Sequence, residues 1–188
     1  MQRHEKSSNK LSPKVYALLM IDVQEKIIRA IFDKDSLTKN IKKLIDAYQI
    51  LEENIFVSEQ NPFKLGTTIP ELLPQNGFKK IEKMEFSLAN IQEFLKELKK
   101  KKITNLIVCG IETHICILQT SIDFYNRGYE VFVIDEAVGS RDERHKSLAL
   151  ARLVKYGISL INFEMLVFEL IRDSKDEGFK ELSKYITK

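Results

Sequence analysis

Continuous hydrophobic runs alternate along this chain with segments whose hydrophobic residues recur every three or four positions. The continuous runs predict buried strands at VYALLMIDVQ (15–24) and TNLIVCGI (104–111). Further strands are predicted at IFVSEQ (55–60), KKIEKMEFS (79–87), YEVFVIDEAV (129–138) and ISLIN (158–162). Helical spacing marks residues 37–54, 88–102, 114–128 and 142–157, and two further helical segments finish the chain. Alternating strands and helices predict an α/β fold class with a mostly parallel, doubly wound sheet.

The remaining segments set the domain limits. Residues 61–78 hold three of the four prolines and two of the seven glycines, which predicts a long loop. Residues 1–14 are polar and lysine-rich, and we expect a flexible N-terminal tail there. No repeat or low-complexity segment divides the rest, so residues 15–188 are predicted to form a single domain.

Composition and charge limit the classes of partner that the protein is expected to bind. The chain has 188 residues, 44% of them hydrophobic, and its 30 basic and 27 acidic residues leave a net charge of only +3. This balance predicts no nucleic-acid partner, and the absence of an apolar run near ~20 residues predicts no membrane partner. Two cysteines are too few for a disulfide framework. The expected location is therefore cytoplasmic.

Three residues with reactive side chains fall near the carboxyl ends of predicted strands. Asp22 ends the first strand, Lys83 lies in the third, and the turn after the fourth leads to Cys116. In open parallel sheets, ligands bind outside the carboxyl ends of the strands. We therefore expect these residues to converge on one edge of the sheet.

Each of the three also has a plain structural interpretation. Asp22 suits a helix N-cap or a salt-bridged loop, and Lys83 suits a charged strand edge. Cys116 is surrounded by isoleucine and leucine and suits simple packing. Alternatively, its position in or near the first helical turn favours an anion, which would lower the pKa of the thiol from about 8.5 to below neutrality. The residues alone leave both interpretations open.

The other candidates for thiol chemistry are weaker. Cys109 lies inside a predicted strand, where cysteine usually acts as a small hydrophobic core residue. His114 precedes Cys116 by two positions, and residues so spaced do not share a helix face. A direct Cys–His dyad is therefore not expected.

Several motifs resemble those of a known group of enzymes. The segments MIDVQ, KMEFS and INFEMLVFEL, with the block from Val108 to Arg141 and its CGIETHIC motif, are similar to the isochorismatase-like hydrolases, also called the cysteine hydrolase superfamily. The similarity runs from about residue 15 to the carboxyl end. The segment SEQNPFKLGTTIPEL and the ending FKELSKYI resemble the branch of isochorismatase domain-containing proteins.

The resemblance implies a three-layer α/β/α, Rossmann-like fold around a six-stranded parallel sheet. It also implies a catalytic triad of Asp22, Lys83 and Cys116, together with a cis peptide bond between Ile111 and Glu112. In such a site the backbone N–H groups of Glu112 and Cys116 form an oxyanion hole. A homo-oligomer, either a dimer or a tetramer, is implied as well.

Two departures from the family pattern restrict the activity. Nicotinamidases of this superfamily bind a metal through an aspartate and histidines after the second strand. In this chain that loop has neither, and Glu59 alone makes a poor metal site. We therefore predict no metal and no cofactor, which weakens nicotinamide as a substrate. Isochorismatases proper lack the cysteine nucleophile, so Cys116 argues against their reaction.

These observations predict a metal-independent cysteine hydrolase that acts on a small-molecule substrate, an amide or related acyl compound, through a thioester. Gln24 and Phe86 are candidates for lining the substrate pocket, with a surface amide and plain packing as their alternatives. A non-catalytic binding or scaffold protein that retains the fold is a second hypothesis. A redox thiol is a third, and it lacks a resolving partner because Cys109 lies within a strand.

Overall fold

A single parallel sheet organises the part of the chain that the computed structural model describes, which is residues 16–175 and 177–186. The predicted tail, residues 1–14, lies outside these ranges. The six strands are β1 (Tyr16–Ile21), β2 (Asn54–Gln60), β3 (Phe78–Lys83), β4 (Asn105–Ile111), β5 (Glu130–Gly139) and β6 (Ser159–Ile161). Their order across the sheet is β3-β2-β1-β4-β5-β6, and every adjacent pair is parallel.

Helices connect the strands. They are α1 (Glu25–Ile28), α2 (Lys34–Ile50), α3 (Pro62–Leu65), α4 (Gln92–Lys100), α5 (Leu118–Asn126), α6 (Glu143–Tyr156), α7 (Phe163–Ile171) and α8 (Glu177–Ile186). Short 3₁₀ turns at Pro70–Leu72 and Leu88–Asn90, and a π turn at Thr113–Ile117, complete the regular structure of the described residues. None of the described helices is long and apolar enough to cross a membrane.

Several elements differ from those predicted, including β3, which ends at Lys83, and α4, which begins at Gln92. The segment 61–78 contains α3 and a 3₁₀ turn, because Pro62 and Pro70 each stand in the first turn of a short helix, where proline is tolerated. The first long helix begins at Lys34, ahead of the hydrophobic spacing that marks it, and α1 was not predicted.

The sheet has hydrophobic cores on both faces because side chains on a strand alternate between the two faces. In β1, Leu18 and Met20 pack against α2, α7 and α8, whereas Leu19 and Ile21 belong to the core beneath α4, α5 and α6. All residues of β1 are buried, as expected for a strand in the middle of a parallel sheet. The predicted three-layer α/β/α fold with six parallel strands is therefore confirmed.

The strand order reverses between β1 and β4. After β1 the chain adds β2 and β3 on one side, then returns to place β4, β5 and β6 on the other side. A crevice forms at the carboxyl ends of the strands where an α/β sheet reverses in this way. Asp22 follows β1 directly and the π turn follows β4, so both lie at this point.

Candidate active site

Asp22 sits in a constrained turn at the end of β1. Its backbone has a φ of 55°, in the left-handed region that few non-glycine residues adopt. Its N–H donates to the carbonyl of Ser58 over 3.1 Å, and its carbonyl accepts a bond from Gln24. These contacts hold the carboxylate at the carboxyl edge of the sheet, where it is 1% exposed.

Lys83 is the last residue of β3, an edge strand, yet its side chain is fully buried. Its Nζ lies 2.6 Å from Oδ2 of Asp22. The interpretation of Lys83 as an ordinary charged residue at a strand edge is therefore wrong. Its long side chain passes the carboxyl end of β2, which lies between β3 and β1, and so reaches Asp22. A buried ammonium of this kind requires a charged partner, and Asp22 is that partner.

Two further residues, which the sequence interpretation missed, complete the contacts of this pair. Ser58 Oγ donates to Oδ1 of Asp22 over 2.6 Å. Gln60 Oε1 accepts from Lys83 Nζ over 2.9 Å, and Gln60 Nε2 donates to the carbonyl of Met84. Both lie among the last three residues of β2, so the rule that singled out Asp22, a polar residue at a strand's carboxyl end, applies to them too.

Gln24 does not line the pocket, contrary to expectation. It is fully buried, and its side chain makes three hydrogen bonds to the backbone: Nε2 donates to the carbonyls of Gln60 and Gly66, and Oε1 accepts from the N–H of Gln60. Both N–H groups of Nε2 are therefore used within the protein. Gln24 instead fixes the loop that follows β2, and with it Gln60.

Cys116 lies in the π turn that leads into α5, which refines the prediction of a position near the first helical turn. The carbonyl of Glu112 accepts bonds from the N–H groups of Ile115 and Ile117, on either side of Cys116. N–H groups in the first turn of a helix lack a full set of helical acceptors, so the amide of Cys116 stands where an anion would be stabilised.

The thiol has a high proton affinity in this site. Burial raises the pKa of Cys116 to about 12, and the charge of Asp22 and a hydrogen bond with it act in the same direction, whereas Lys83 opposes them. The expected lowering of the thiol pKa by the helix dipole is therefore outweighed, because the neighbouring carboxylate and the loss of water disfavour a second negative charge. Cys116 is therefore a neutral thiol beside the side chain of Asp22.

A cavity of about 340 Å³ gives access to this group. Asp22 and Cys116 both line it, whereas Lys83 lies behind Asp22 and has no exposed side-chain surface. Phe86 lines the same cavity and is 52% exposed, which fits the prediction that it contributes to the pocket. The volume suits a small molecule.

Glu112 and the residues around it form the wall beside the thiol. The peptide bond between Ile111 and Glu112 is cis. The side chain of Glu112 is paired with Arg141, whose Nε lies 2.7 Å from Oε1, and both residues line the cavity. Arg141 was not among the predicted site residues, although it ends the motif block that carries the family resemblance.

The remaining thiol and histidine lie elsewhere. Cys109 is fully buried in β4, and burial raises the pKa of its thiol, which is the behaviour of a core residue. His114 lies against Ser140, with Nδ1 at 3.0 Å from Oγ, and its ring is 4.7 Å from that of His145.

Among residues 16–175 and 177–186, no group of three or more histidine, cysteine, aspartate or glutamate side chains could hold a metal ion. Glu59, the carboxylate in the stretch where related nicotinamidases bind metal, is 1% exposed and accepts from both the N–H and the hydroxyl of Thr68. Its contacts anchor the loop after β2.

Comparison with known proteins identifies the family. Residues 16–165 match the Isochorismatase domain family. A zebrafish relative, isochorismatase domain-containing protein 2, is 36% identical over 94% of this chain and 89% of its own length. The secreted isochorismatase effector Isc1 of Phytophthora sojae is 30% identical over 96% of this chain and 89% of its own.

A solved structure described as the MAR1 ribonuclease of Caenorhabditis elegans is 34% identical. It superposes with a TM-score of 0.89 and covers 95% of this chain and 93% of its own. With these matches spanning nearly the whole chain, the protein belongs to the isochorismatase-like hydrolase superfamily, in the branch of the isochorismatase domain-containing proteins.

Proposed function

We propose that this protein is a metal-independent cysteine hydrolase that cleaves a small amide or related acyl compound through a thioester. One observation carries the proposal: a carboxylate, Asp22, lies beside both a buried ammonium and a thiol, and it shares a cavity with that thiol. A nucleophile next to a base that is itself held by a third group is the arrangement that covalent catalysis requires.

In the first half of the reaction, Cys116 Sγ attacks the carbonyl carbon while its proton passes to Asp22. The S–C bond forms as the C=O π electrons move onto oxygen, giving a tetrahedral oxyanion. The N–H groups of Glu112 and Cys116 stabilise this charge. When the intermediate collapses, the C–N bond breaks and the departing nitrogen takes the proton from Asp22, which leaves an acyl thioester and free amine or ammonia.

The second half returns the enzyme to its starting state. Asp22, again a carboxylate, takes a proton from water as the water oxygen attacks the thioester carbon. Collapse of the second tetrahedral intermediate breaks the S–C bond, releases the carboxylic acid and returns the proton to Cys116. Lys83 keeps Asp22 in place between the two halves through the 2.6 Å contact of its Nζ with Oδ2.

The high proton affinity of the thiol supports this division of roles. A thiol whose pKa is raised to about 12 holds little thiolate at neutral pH, so it requires a base within reach. Asp22 contacts the thiol and can act as this base. Loss of either partner is therefore expected to stop turnover.

The test is a hydrolysis assay over a panel of small amides with the native protein, Cys116→Ala and the matched core variant Cys109→Ala. We expect turnover by the native protein and Cys109→Ala, and none by Cys116→Ala or Asp22→Asn. Activity that survives Cys116→Ala would contradict the mechanism. Loss of turnover in EDTA, with recovery in zinc, would contradict metal independence.

Ribonuclease activity is a second candidate, favoured by the description of the C. elegans structure. The small cavity and the balanced charge favour a small molecule over RNA. Labelled single-stranded and double-stranded RNA belong in the same assay, and cleavage that Cys116→Ala abolishes would replace the amide proposal. If neither substrate class reacts, the non-catalytic binding hypothesis gains.

Assembly and location also belong to the proposal. Phe63 is 96% and Met84 68% exposed close to Lys83 on the rim of a neighbouring cavity, and such apolar groups favour contact with another protein surface. We propose a homo-oligomer, dimer or tetramer, which light scattering of the full chain tests. The proposed location is cytoplasmic, and fractionation of cells tests it against the secreted location named for the Phytophthora relative.

A further inference from the structure

The charged groups that line the catalytic cavity do not balance one another. Asp22 is neutralised by Lys83 at 2.6 Å, and Glu112 by Arg141 at 2.7 Å. Lys26 also lines the cavity, and within the described residues it makes no ion pair. The cavity therefore carries one uncompensated positive charge.

Lys26 is exposed, and one hydrogen bond positions its ammonium group. Its Nζ donates to the carbonyl of Lys64 over 2.7 Å, which ties the side chain to α3 and leaves two of its three N–H groups for another acceptor. The adjacent Glu25 makes no ion pair with Lys26 and does not line the cavity, and its carboxylate lies beside Gly66.

Arg141 adds unused donors at the same cavity. Its Nε bonds Glu112, whereas the two terminal nitrogens of the guanidinium make no hydrogen bond to the described part of the chain. A guanidinium presents five N–H groups in a planar fork that suits a carboxylate. Lys26 and Arg141 together therefore offer more donors than the protein itself uses.

Apart from Gln60 and Cys116, the rest of the lining is apolar. Six hydrophobic side chains contribute to it: Ile27, Ala30, Leu65, Phe86, Ile111 and Ile115. An aliphatic segment gains by leaving water for such a surface, whereas a cationic or strongly polar one does not.

We infer that the substrate class is a small amide that carries a carboxylate, separated from the scissile carbonyl by a short aliphatic segment. The carbonyl meets Cys116, the segment contacts the apolar wall, and the carboxylate is bound by Lys26 and Arg141. The inference rests on the proposed hydrolase function for its reaction, but not for its charge preference.

The charge preference is tested without turnover by alkylating Cys116. Thiolate sulfur attacks the CH₂ of iodoacetate or iodoacetamide, the S–C bond forms and iodide leaves, so the two reagents differ in charge and hardly in size. The parent protein for this test is Cys109→Ala, in which Cys116 is the remaining cysteine. We measure its alkylation rate with each reagent, divide the iodoacetate rate by the iodoacetamide rate, and normalise this ratio to the same ratio for N-acetylcysteine. The extent of ionisation of Cys116 cancels in this ratio.

We expect a normalised ratio of about 3 or more at low salt, falling toward 1 in 1 M salt as screening removes the attraction. Lys26→Met is expected to bring the ratio near 1, and Lys26→Glu below 1. The matched control is Lys100→Met. Lys100 is an exposed lysine at the end of α4, near the amino ends of the strands, and its substitution is expected to leave the ratio unchanged. A ratio at or below 1 in the parent protein, or one that Lys26→Met does not move, overturns the inference.

Matched substrate pairs then separate the inference from the proposed function. Succinamate and glutaramate are compared with the neutral pentanamide and hexanamide by kcat/KM in the parent protein and Lys26→Met. Preference for the anions, lost in Lys26→Met, supports both proposals. If the neutral amides are hydrolysed with a kcat/KM equal to or above that of the anions, the proposed substrate class is wrong and the hydrolase proposal stands. No hydrolysis of any amide, with the alkylation ratio still raised, counts against the hydrolase and leaves the anion preference standing.

Discussion

At the scale of single residues, the site depends on one buried ion pair with few alternative partners. The Asp22 carboxylate accepts from Lys83 and Ser58, and the Lys83 ammonium donates to Asp22 and Gln60. Removing one member of a buried pair leaves the other charged and without compensation, which costs more than the pair itself contributes. The four residues therefore combine a stabilising role with the proposed catalytic one.

The first prediction concerns this pair. Asp22→Asn and Lys83→Met are each expected to lower the free energy of unfolding by about 3–5 kcal/mol. The double variant is expected to lose less than the sum of the two, because it leaves no unpaired buried charge. Urea denaturation measures all three.

The matched control is Lys79→Met, on the same strand. Lys79 pairs with Glu93 at 2.8 Å, but in an exposed position, where ion pairs contribute little. Additive losses in the double variant, or a loss in Lys79→Met equal to that in Lys83→Met, would show that burial of the pair is not the cause.

The second prediction separates support of the loop from contact with substrate at Gln24. Gln24→Leu removes three hydrogen bonds to the backbone of Gln60 and Gly66 and is expected to cost roughly 2–4 kcal/mol in unfolding free energy. Gln119→Leu, at an exposed position on α5, is expected to cost far less. A Gln24→Leu protein with unchanged stability and a raised KM would instead assign Gln24 to the pocket.

At the scale of elements, the contact between β1 and β4 sets the distance between Asp22 and Cys116. Ile21 pairs with Gly110, one position before Asp22 on β1 and shortly before the π turn on β4. A Cβ on Gly110 would lie 2.2 Å from the carbonyl oxygen and 2.6 Å from the nitrogen of Ile21. Glycine at this position allows the two strands to approach closely enough to bring Asp22 beside Cys116.

The third prediction follows from that contact. Gly110→Ala is expected either to prevent folding or to lower the unfolding free energy by more than about 3 kcal/mol, since the clash is with backbone and the residue also has a φ of 117°. Gly128→Ala tests conformation without a clash: its φ is 87° and nothing lies within 4 Å of an added Cβ. We expect a loss of about 1–2 kcal/mol there. Soluble yield and urea denaturation measure both, and equal losses would remove the argument for close approach.

At the scale of the whole molecule, burial of two thiols links stability to alkaline pH. The folded state raises the pKa of Cys116 to about 12, and burial raises that of Cys109 as well. An unfolded thiol ionises near pH 8.5. Above that pH the unfolded state releases thiol protons that the folded state retains, so the unfolding free energy falls as pH rises.

The fourth prediction uses this link. Between about pH 9 and 11, the unfolding free energy is expected to fall by roughly 1.4 kcal/mol per pH unit for each such thiol. Cys116→Ser removes the contribution of the Cys116 thiol to this pH dependence. Its unfolding free energy is therefore expected to fall less steeply with pH than that of the native protein, whereas the two curves run parallel below about pH 8. Tyr16 and Tyr48, whose pKa values are also raised, contribute equally to both proteins. Parallel curves throughout would mean that the thiol is not shifted upward on folding.

The strand and helix pattern was largely available from the sequence. The central strands were evident because strands buried on both faces need apolar residues at every position and lie between amphipathic helices. The edge strand β3 is only partly buried, and it ends at Lys83 rather than at the predicted residue 87. The short helices in segment 61–78 were missed because a single turn is too brief to show a helical period. Asp22 and Cys116 stood out because each follows a buried strand, and such ends share one edge of a parallel sheet.

What the sequence by itself determined is the order of the elements, the parallel sheet and the residues able to carry chemistry, since these follow from local spacing and from the family motifs. Tertiary structure decided the contacts made across the sheet. It buried Lys83 against Asp22 and added hydrogen bonds from Ser58 and to Gln60 around this pair. It also placed the side chain of Gln24 against the loop backbone and raised the pKa of the Cys116 thiol. Burial and charge at a site depend on groups that are distant along the chain and adjacent only after folding, so local pattern does not contain them.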